Sequence, residues 1–485
     1  MLVIERRVLG IDLGSSTAKA VLATTSGEVL ARASCTQVIH RPGVGLVEQD
    51  PADWWEALRT LVQRLFAQVA TDSVDGVAVS AHFPTLLLTD EAGAPLLPAL
   101  LYADTRADAW VSEAARITGE SLLGDEIVPK ILWLHATRPD VLRQARHLFN
   151  PQDYLAYRLC GRHAVDHRTA VRTGGLFDVH TLTWRDDIAQ AIGLDPTVLP
   201  AIREAGSILG TVTADAAQQT GIPAGAPVIV ALPDTPAALL GAGVVHQGEV
   251  LLYYGTTATA DACIYDAENY LRNPTLIAHG GLYREVAYAV LGPVLPWVAS
   301  GFSQVDHVPI DLEAMDEAAA VLPVDPEGPF VLPYFLAHAR ADLVVRRPAI
   351  VGLDVQHNRT HLHRALLESF GYTIRAGLED AGMWSADHRF VAAGGGAHSE
   401  TWRQIVSDVL GVDQTWAAAS DGALGDAMLA AWAAGELDTF GAGRARWLGP
   451  VFVTHPRPAA HRVHDKRYAI WRRLREALWA ALQPD

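Results

Sequence analysis

Lysine is scarce in this sequence: Lys19, Lys130 and Lys466 are the only lysines among its 485 residues. A Walker A phosphate loop needs Gly-Lys followed by Ser or Thr, and none of these lysines follows a glycine. The scarcity therefore excludes a P-loop NTPase. A GxGxxG segment after a predicted strand is also missing, so a Rossmann dinucleotide site is poorly supported.

Cysteine is equally scarce, since Cys35, Cys160 and Cys263 are far apart and form no CxxC pair. An odd number of distant cysteines argues against a disulfide framework and against a cysteine-ligated zinc site. The sequence also has no apolar run long enough to span a membrane, and it begins through Glu5 without a basic-then-apolar leader. We therefore expect a soluble cytoplasmic protein.

Basic residues are fewer than acidic ones: the sequence has 38 Lys and Arg against 55 Asp and Glu, which gives a net charge of −17. This balance argues against nucleic acid or an anionic membrane as the main partner. The chain is 50% hydrophobic and long enough for two or three domains with sizeable cores. The composition thus predicts an acidic protein of several domains.

Two segments share one pattern of strand, glycine turn and strand. Residues 7–23 (RVLGIDLGSSTAKAVLA) carry it around Gly14, and residues 250–264 (VLLYYGTTATADACI) carry it around Gly255. The two glycines lie about half the chain apart. A duplicated two-lobed architecture would produce this spacing, although two such turns can also arise by chance.

Strands and helices alternate around these two segments. Asp50-Pro51 predicts the start of an amphipathic helix that runs to about Ala70, and 228–232 reads as a strand followed by a small-residue helix. Such alternation indicates α/β lobes. We predict one lobe over residues 1–246 and a second over residues 247–485.

The two glycine turns carry hydroxyl side chains, which suits the binding of a polyphosphate. Glycine lets the backbone approach closely, and N–H groups with Ser and Thr hydroxyls donate to phosphate oxygens. Asp12, just before the first turn, is then placed to hold Mg²⁺. Each turn alone is more easily explained as structural than as functional, but the pair together with the triple glycine at 394–396 favours a nucleotide site.

Several motifs in order resemble the FGGY carbohydrate kinases from Val8 to about Gly435. GIDLGSSTAKAVL and YYGTTAT resemble that family's two phosphate loops, VAAGGGAHSETWRQIVSDVLG resembles its adenosine segment, and residues 352–368 fit its C-terminal signature. PKILWL, residues 129–134, retains only the core of the N-terminal signature. The resemblance implies an α/β chain with the two-lobed, duplicated sugar kinase/actin/heat-shock ATPase (ribonuclease H-like) fold and a central cleft.

The resemblance also implies ATP and Mg²⁺ as co-substrate and cofactor. The metal would be held at Asp12. The implied ATP contacts are Ser15, Ser16, Thr17, Gly255, Thr256, Thr257, Gly292, Gly395, Gly396 and Ser399.

Asp234 is the residue that the resemblance assigns as catalytic base. It lies in VIVALPDTPAALLGAG, residues 228–243, which is similar to the family's strand–Asp–helix element. A carboxylate at a strand end beside a helix N-terminus stays ionised and can take the proton of an attacking hydroxyl. The competing interpretation is that Asp234 only caps the helix.

The acceptor site is where the chain departs from the family pattern. Many pentulose kinases of the family have Ser-Gly-Gln-Met-His-Gly where residues 80–85 here read Ser-Ala-His-Phe-Pro-Thr, so Pro84 replaces a histidine donor. His82 is a hydroxyl partner or a structural histidine. The expected sugar-binding residues are His82, Phe83, Tyr102, Asp104, Asp234 and Thr235.

These motifs predict an ATP-dependent kinase for a primary hydroxyl of a small ketose or polyol, with D-xylulose as the leading acceptor. Ribulose, a sugar alcohol or glycerol are the alternatives within the same chemistry. A non-catalytic ATP-binding switch protein of the same fold is a third interpretation.

The C-terminal helix carries Trp471, Leu474 and Leu478 at helical spacing, which fits a packing face within the chain or in a homodimer.

Overall fold

The computed structural model describes residues 5–255, 257–273, 282–301, 311–335 and 347–482. The chain divides into two compact units. The first comprises Met1–Val245, Tyr265–Leu282 and Ala419–Gly449, and the second comprises His246–Ile264, Tyr283–Ala418 and Pro450–Asp485. The predicted lobes, 1–246 and 247–485, are continuous, whereas two later segments of the chain return to the first unit. Among the helices within these ranges, none is both long and apolar enough to cross a membrane.

Up to Val245 the described chain alternates short strands and helices. The strands are β1 (Arg7–Leu13), β2 (Thr17–Thr24), β3 (Val29–Thr36), β4 (Glu48–Gln49), β5 (Val77–Ala81), β6 (Leu87–Thr89), β7 (Ala99–Leu100), β8 (His147–Phe149), β9 (Ala164–Asp166), β10 (Phe177–Asp178), β11 (Thr183–Trp184), β12 (Ala201–Arg203), β13 (Ile208–Thr211) and β14 (Pro227–Ile229). The helices are α1 (Pro51–Gln68), α2 (Val111–Thr118), α3 (Ile127–Thr137), α4 (Pro139–Gln144), α5 (Pro151–Cys160), α6 (His167–Val171), α7 (Asp186–Ala191), α8 (Ala214–Thr220) and α9 (Asp234–Gly241).

The alternation continues after Val245. The strands there are β15 (Glu249–Tyr254), β16 (Thr257–Cys263), β17 (Tyr283–Val290), β18 (Phe330–Leu332), β19 (Ala349–Val351), β20 (Arg389–Ala393), β21 (Gln414–Trp416) and β22 (Phe452–Thr454). The helices are α10 (Ala267–Arg272), α11 (Val294–Ala299), α12 (Leu312–Ala320), α13 (Arg359–Asp380), α14 (Glu400–Leu410), α15 (Gly422–Ala433), α16 (Phe440–Leu448) and α17 (Pro458–Leu482).

Each unit is built on one six-stranded sheet, and the two sheets have the same plan. In the first unit the strand order is β13-β14-β5-β1-β2-β3, with β14, β5 and β1 parallel and the outer pairings antiparallel. In the second unit the order is β17-β16-β15-β20-β21-β22, with β15, β20 and β21 parallel and the outer pairings antiparallel. The repetition predicted from the two glycine turns is therefore a repetition of the sheet.

Each of the two predicted hairpins contributes one of the two central strands of its sheet. β1 pairs with β2 up to Leu13 opposite Ala18, and β15 pairs with β16 up to Tyr254 opposite Ala258. Both hairpins turn at the carboxyl end of a strand that also has a parallel neighbour. Each turn thus lies at the sheet edge where α/β proteins bind their ligands.

Helix α1 shows how the sequence pattern fixes a local structure. The Asp50 carboxylate accepts the Ala52 N–H, and a proline at the first helical position removes a donor that would have no partner there. Trp54, Leu58 and other apolar residues at helical spacing are buried in the core of the first unit. The predicted helix is confirmed, and it ends at Gln68.

Helix α15 packs directly on β1 and α9, because glycines remove the side chains at the points of contact. A Cβ added at Gly10 on β1 would lie 2.0 Å from the Ala423 carbonyl oxygen. A Cβ added at Gly425 on α15 would lie 1.8 Å from the Ala237 carbonyl oxygen. This backbone contact holds the segment Ala419–Gly449 in the first unit and explains why the chain does not divide into two continuous halves.

We expect Gly425→Ala to lower the free energy of unfolding of the first unit by about 1–3 kcal/mol, because the new methyl group overpacks a contact between two backbones. Thermal and urea unfolding measure the change. The matched control is Gly395→Ala, whose Cβ meets no atom within 4 Å and which should leave stability nearly unchanged. Equal losses in the two variants would contradict the importance of this contact.

Candidate functional site

Three parallel strands of the first unit end at one edge of the sheet, and the residues predicted to do chemistry lie there. Asp12 is the penultimate residue of β1, His82 follows β5 directly, and Asp234 follows β14. Asp12 is registered with Ser80 across the parallel pair β1–β5. The topology therefore gathers the proposed metal ligand, sugar ligand and base at the same edge of the sheet.

The first glycine turn is anchored through its backbone and presents its hydroxyl groups outward. The Gln49 side-chain amide donates to the Ser15 carbonyl oxygen at 2.8 Å, and the Gln37 N–H donates to the Ser16 carbonyl oxygen at 2.9 Å. A Cβ at Gly14 would lie 2.6 Å from the Thr17 carbonyl oxygen, so glycine is needed for this turn. The Ser16 and Thr17 side chains are exposed, as a phosphate-binding role requires.

Asp12 has one carboxylate oxygen that fits a cation. Its Oδ1 is buried and has no hydrogen-bond partner among the described residues. Burial, together with the charges of Asp234 and Asp421, raises the pKa of Asp12 to about 7, and the charge of Lys19 opposes this shift. A bound cation would relieve both the unpaired oxygen and the repulsion between carboxylates.

The described residues contain no group of three or more His, Cys, Asp or Glu side chains arranged to hold a metal ion. A cation at Asp12 would therefore take most of its ligands from water and from phosphate oxygens. Mg²⁺ is commonly bound in this way, through one or two carboxylates and the phosphates of a nucleotide. The residues present fit such an ion.

Two further aspartates, which sequence reasoning missed, lie beside Asp12 on or next to α15. Asp421 caps α15 by accepting the Leu424 N–H, and it pairs with Arg32 at 3.0 Å. Asp426 is fully buried and accepts both the N–H and the hydroxyl of Ser80. Burial raises the pKa of Asp426 well above its usual range, and the charge of Asp12 raises it further.

Asp234 is the first residue of α9, and the strand before it ends at Ile229 instead of the predicted Leu232. Its Oδ1 accepts the Thr235 N–H at 2.8 Å, which orients the carboxylate at the helix N-terminus. Burial raises the pKa of Asp234 to about 6, and the Thr235 hydrogen bonds oppose that shift. The carboxylate is half-buried and mostly ionised at neutral pH.

His82 lies at the centre of an aromatic cluster. The ring is 2% exposed, and its centroid lies 5.9 Å from that of Trp54 and 6.5 Å from that of Tyr102, both edge-on. Its Nδ1 lies 3.1 Å from the Leu13 carbonyl oxygen at the end of β1. The neighbouring Phe83 is half-buried and precedes Pro84 through a cis peptide bond.

Tyr102 joins this aromatic cluster to the first glycine turn. The tyrosine is 37% exposed, and its hydroxyl lies 3.4 Å from the Ser15 hydroxyl. Trp54 is tied to the same turn, because its indole N–H donates to Gln49, whose amide holds the Ser15 carbonyl. The structure therefore brings His82 and Tyr102 close to Ser15 of the first glycine turn.

Asp104 is fully occupied by protein donors. Oδ1 accepts the backbone N–H and Nε of Arg106, and Oδ2 accepts Arg106 Nη2 and the Val47 N–H at 2.7 Å. Arg106 also pairs with Glu48 at 2.6 Å. A sugar hydroxyl would have to displace one of these donors, so a direct contact of Asp104 with substrate stays a prediction. The hydrogen bonds of Asp104 support a role in holding the loop.

Lys130 is a third residue whose position the sequence did not reveal. It is fully buried in α3, and its ammonium donates to the Leu101 carbonyl oxygen at 3.0 Å and lies 3.4 Å from that of Leu100. Burial lowers the pKa of Lys130 to about 8, and the nearby Asp125 and Asp104 oppose that shift. Lys130 thus fixes the backbone that leads into Tyr102.

In the second unit, the second glycine turn is shaped by contacts that exclude a side chain. A Cβ at Gly255 would lie 2.4 Å from the Tyr253 ring. Thr257 begins β16 and pairs with Val290 at the end of β17, which places Gly292 near the same edge of this sheet. Thr256 lies outside the described residues.

The triple glycine meets this second turn from the neighbouring strand β20. A Cβ at Gly394, where φ is +91°, would lie 2.8 Å from the Tyr254 carbonyl oxygen, and one at Gly396 would lie 2.6 Å from the Trp402 ring. Gly395 faces open space. Ser399 caps α14 by accepting the Trp402 N–H, so its hydroxyl already has a structural partner. The second unit therefore gathers Gly255, Gly395 and Gly396 at one edge.

The comparisons with known proteins cover nearly the whole chain. The N-terminal domain of the FGGY family of carbohydrate kinases matches residues 7–241, and the C-terminal domain of that family matches residues 252–434. The chain is 29% identical over 486 residues to xylulose kinase from Escherichia coli (strain K12), covering 96% of this chain and 97% of that protein. It is 25% identical over 466 residues to a gluconokinase from Bacillus subtilis (strain 168), covering 90% of this chain and 89% of that protein.

The solved structures point to the same fold. Xylulose kinase from Rhodospirillum rubrum superposes with a TM-score of 0.82 at 28% identity, covering 98% of this chain and all of that chain. The predicted α/β sugar kinase fold is confirmed by this likeness and by the repeated sheets.

We expect Arg106→Leu to destabilise the first unit by roughly 3–5 kcal/mol, because it leaves the Asp104 carboxylate buried without its charge partner. Thermal unfolding measures the loss. The matched control is Arg116→Leu, which breaks an exposed pair with Glu113 and should leave the melting temperature unchanged. If the Arg106 variant melted like the wild type, Asp104 would not depend on this arginine.

Proposed function

Because the chain belongs to the FGGY family of carbohydrate kinases, we propose that it transfers the γ-phosphoryl group of ATP to a primary hydroxyl of a small ketose or polyol, with D-xylulose as first candidate. Membership of this family makes the protein a phosphotransferase that acts on a small-molecule sugar. The kinase family implies ATP as co-substrate and a divalent cation. The exact acceptor is the part that is proposed.

The observation that carries the proposal is Asp234 at the N-terminus of α9, in the same unit as the first phosphate turn and the aromatic cluster. An attacking hydroxyl needs a base that is ionised near neutral pH, and a carboxylate with a pKa of about 6 meets that need. The Thr235 N–H orients the carboxylate by donating a hydrogen bond to it. Asp234 and Thr235 are accordingly proposed to contact the acceptor.

General base action is typically worth ~10²–10⁴ in rate, so positioning and charge neutralisation must provide the rest. When bound, Mg²⁺ neutralises charge on the phosphate oxygens. Asp12 would hold the cation. Ser15, Ser16 and Thr17 of the first unit are proposed to donate to phosphate oxygens. Gly255, Thr256, Thr257, Gly292, Gly395, Gly396 and Ser399 of the second unit are proposed to contact the nucleotide.

D-xylulose is favoured as the acceptor by relatives named xylulose kinase, which are 26–29% identical over most of the chain. His82 and Pro84 depart from the residues that many pentulose kinases carry, so ribulose, sugar alcohols and glycerol are kept as alternatives. A non-catalytic switch protein is disfavoured, because it needs neither an ionised base nor an aromatic cluster beside the phosphate turn. The homodimer and the cytoplasmic location stay predictions.

The acceptor is tested by a coupled ADP-release assay with purified protein, ATP and Mg²⁺. The panel holds D-xylulose, D-ribulose, hexuloses, tetritols, glycerol and D-gluconate. We expect the highest kcat/KM with D-xylulose, and release without acceptor should be slower, because kinases of this type must exclude water from the reaction. A different preferred sugar would correct the acceptor, and no turnover with any of them would contradict the proposal.

Asp234→Ala should lower kcat by at least about 100-fold while ATP binding stays within a few-fold, because only the proton acceptor is removed. In the wild type, kcat/KM should fall as pH falls through about 6, since protonation removes the base. Asp215→Asn, at an exposed aspartate in the first turn of α8, is the matched control and should behave as wild type. Retained turnover in Asp234→Ala would remove Asp234 from the mechanism.

A further inference from the structure

The His82 imidazole has one nitrogen whose role the structure explains and one whose role it does not. Nδ1 lies 3.1 Å from the Leu13 carbonyl oxygen. A carbonyl oxygen only accepts hydrogen bonds, so Nδ1 must carry a proton. Nε2 is buried and has no hydrogen-bond partner among the described residues.

The charge state of the ring follows from its surroundings. Burial, together with the charge of the Lys130 ammonium, lowers the pKa of His82 to about 4, and the hydrogen bond to Leu13 opposes this shift. The ring is therefore neutral at physiological pH. With Nδ1 protonated, a neutral imidazole leaves Nε2 as a hydrogen-bond acceptor.

The neighbours of the ring do not satisfy this acceptor. The Trp54 indole N–H is donated to the Gln49 side-chain oxygen at 3.0 Å. Lys130 directs its ammonium to the Leu100 and Leu101 carbonyl oxygens. A buried acceptor without a donor costs about 1–3 kcal/mol, which a ligand hydroxyl would recover.

On the basis of the proposed function, we propose that His82 Nε2 accepts a hydrogen bond from a hydroxyl of the sugar acceptor and so determines specificity for a neutral polyol. The ring contacts Tyr102, whose hydroxyl lies 3.4 Å from that of Ser15, so the hydroxyl that His82 binds lies beside the first phosphate turn. His82 is therefore proposed to bind the substrate and not only to pack in the core.

The polarity of the contact selects a class of acceptor. A hydroxyl group can donate a hydrogen bond to Nε2. A carboxylate at the same position has no hydrogen to donate, and its oxygen would be repelled by the lone pair of Nε2. An analogue in which fluorine replaces the bound hydroxyl should fail as completely as the deoxy sugar, because fluorine also cannot donate. A sugar acid should therefore be a poorer acceptor than the neutral sugar of the same length.

Substitution of His82 tests this contact in the ADP-release assay with D-xylulose, or with the best neutral acceptor of the panel. We expect His82→Leu to lower kcat/KM for the sugar about 10–100-fold, with the KM for ATP within about threefold of wild type. His82→Gln should recover a large part of the loss, since its side-chain oxygen accepts. His180→Leu, at an exposed histidine, is the matched control.

A spectroscopic measurement keeps the inference testable if His82→Leu does not fold or no acceptor is turned over. Nitrogen-15 spectra of protein labelled in its histidine rings, assigned by comparison with His82→Gln, should show a bare Nε2 and a protonated Nδ1. A proton on Nε2 would overturn the inference. So would unchanged sugar kcat/KM in a folded His82→Leu, or faster turnover of D-gluconate than of every hexulose in the panel. Absence of turnover with every acceptor would instead overturn the proposed function alone.

Discussion

The site of the first unit depends on a direct contact between backbones. Gly10, Gly241 and Gly425 remove the side chains that would separate β1, α9 and α15, and at each position a methyl group would lie about 2 Å from a carbonyl oxygen. The contact fixes three elements that carry carboxylates. It places Asp426 against Ser80 and brings Gly422 so near Asp12 that a Cβ there would lie 2.7 Å from Asp12 Oδ2. Small residues thus determine where the charges lie.

The negative charge of the carboxylates at this edge is unfavourable, and a bound cation or a proton would stabilise them. Burial is the largest cause of the raised pKa at Asp12, at Asp234 and at Asp426, and like charges add to it at Asp12 and Asp426. Perturbed groups of this kind collect at functional sites. At Asp234, hydrogen bonds from Thr235 stabilise the ionised carboxylate and so oppose the rise in its pKa. The same edge can therefore supply a metal ligand and a base from one residue type.

Local features were predictable from the sequence, and features that join distant segments were not. The hairpins around Gly14 and Gly255 depend on neighbouring residues, so alternation and glycine placement were sufficient to find them. The strand before Asp234 was predicted too long, because Val230 exchanges hydrogen bonds with Gly206 and Ser207 instead of continuing beside β5. Asp104 also accepts the N–H of Val47, 57 positions away in the chain, and no local pattern indicates that contact. The family resemblance supplied the other candidate residues of the site, but it did not indicate Asp421 or Asp426.

The order of segments has a consequence for synthesis on the ribosome. The first and longest segment of the first unit ends at Val245, but the later segment Ala419–Gly449 belongs to the same unit. At a translation rate of about 5–20 residues per second, the N-terminal portion waits on the order of 10–40 s for this segment. During that interval Gly10 and Gly76 line an uncovered sheet face, since the residues that would cover them, Ala423 and Ala430, are not yet made. Nascent chains therefore leave this face of the sheet uncovered until Ala419–Gly449 has been synthesised.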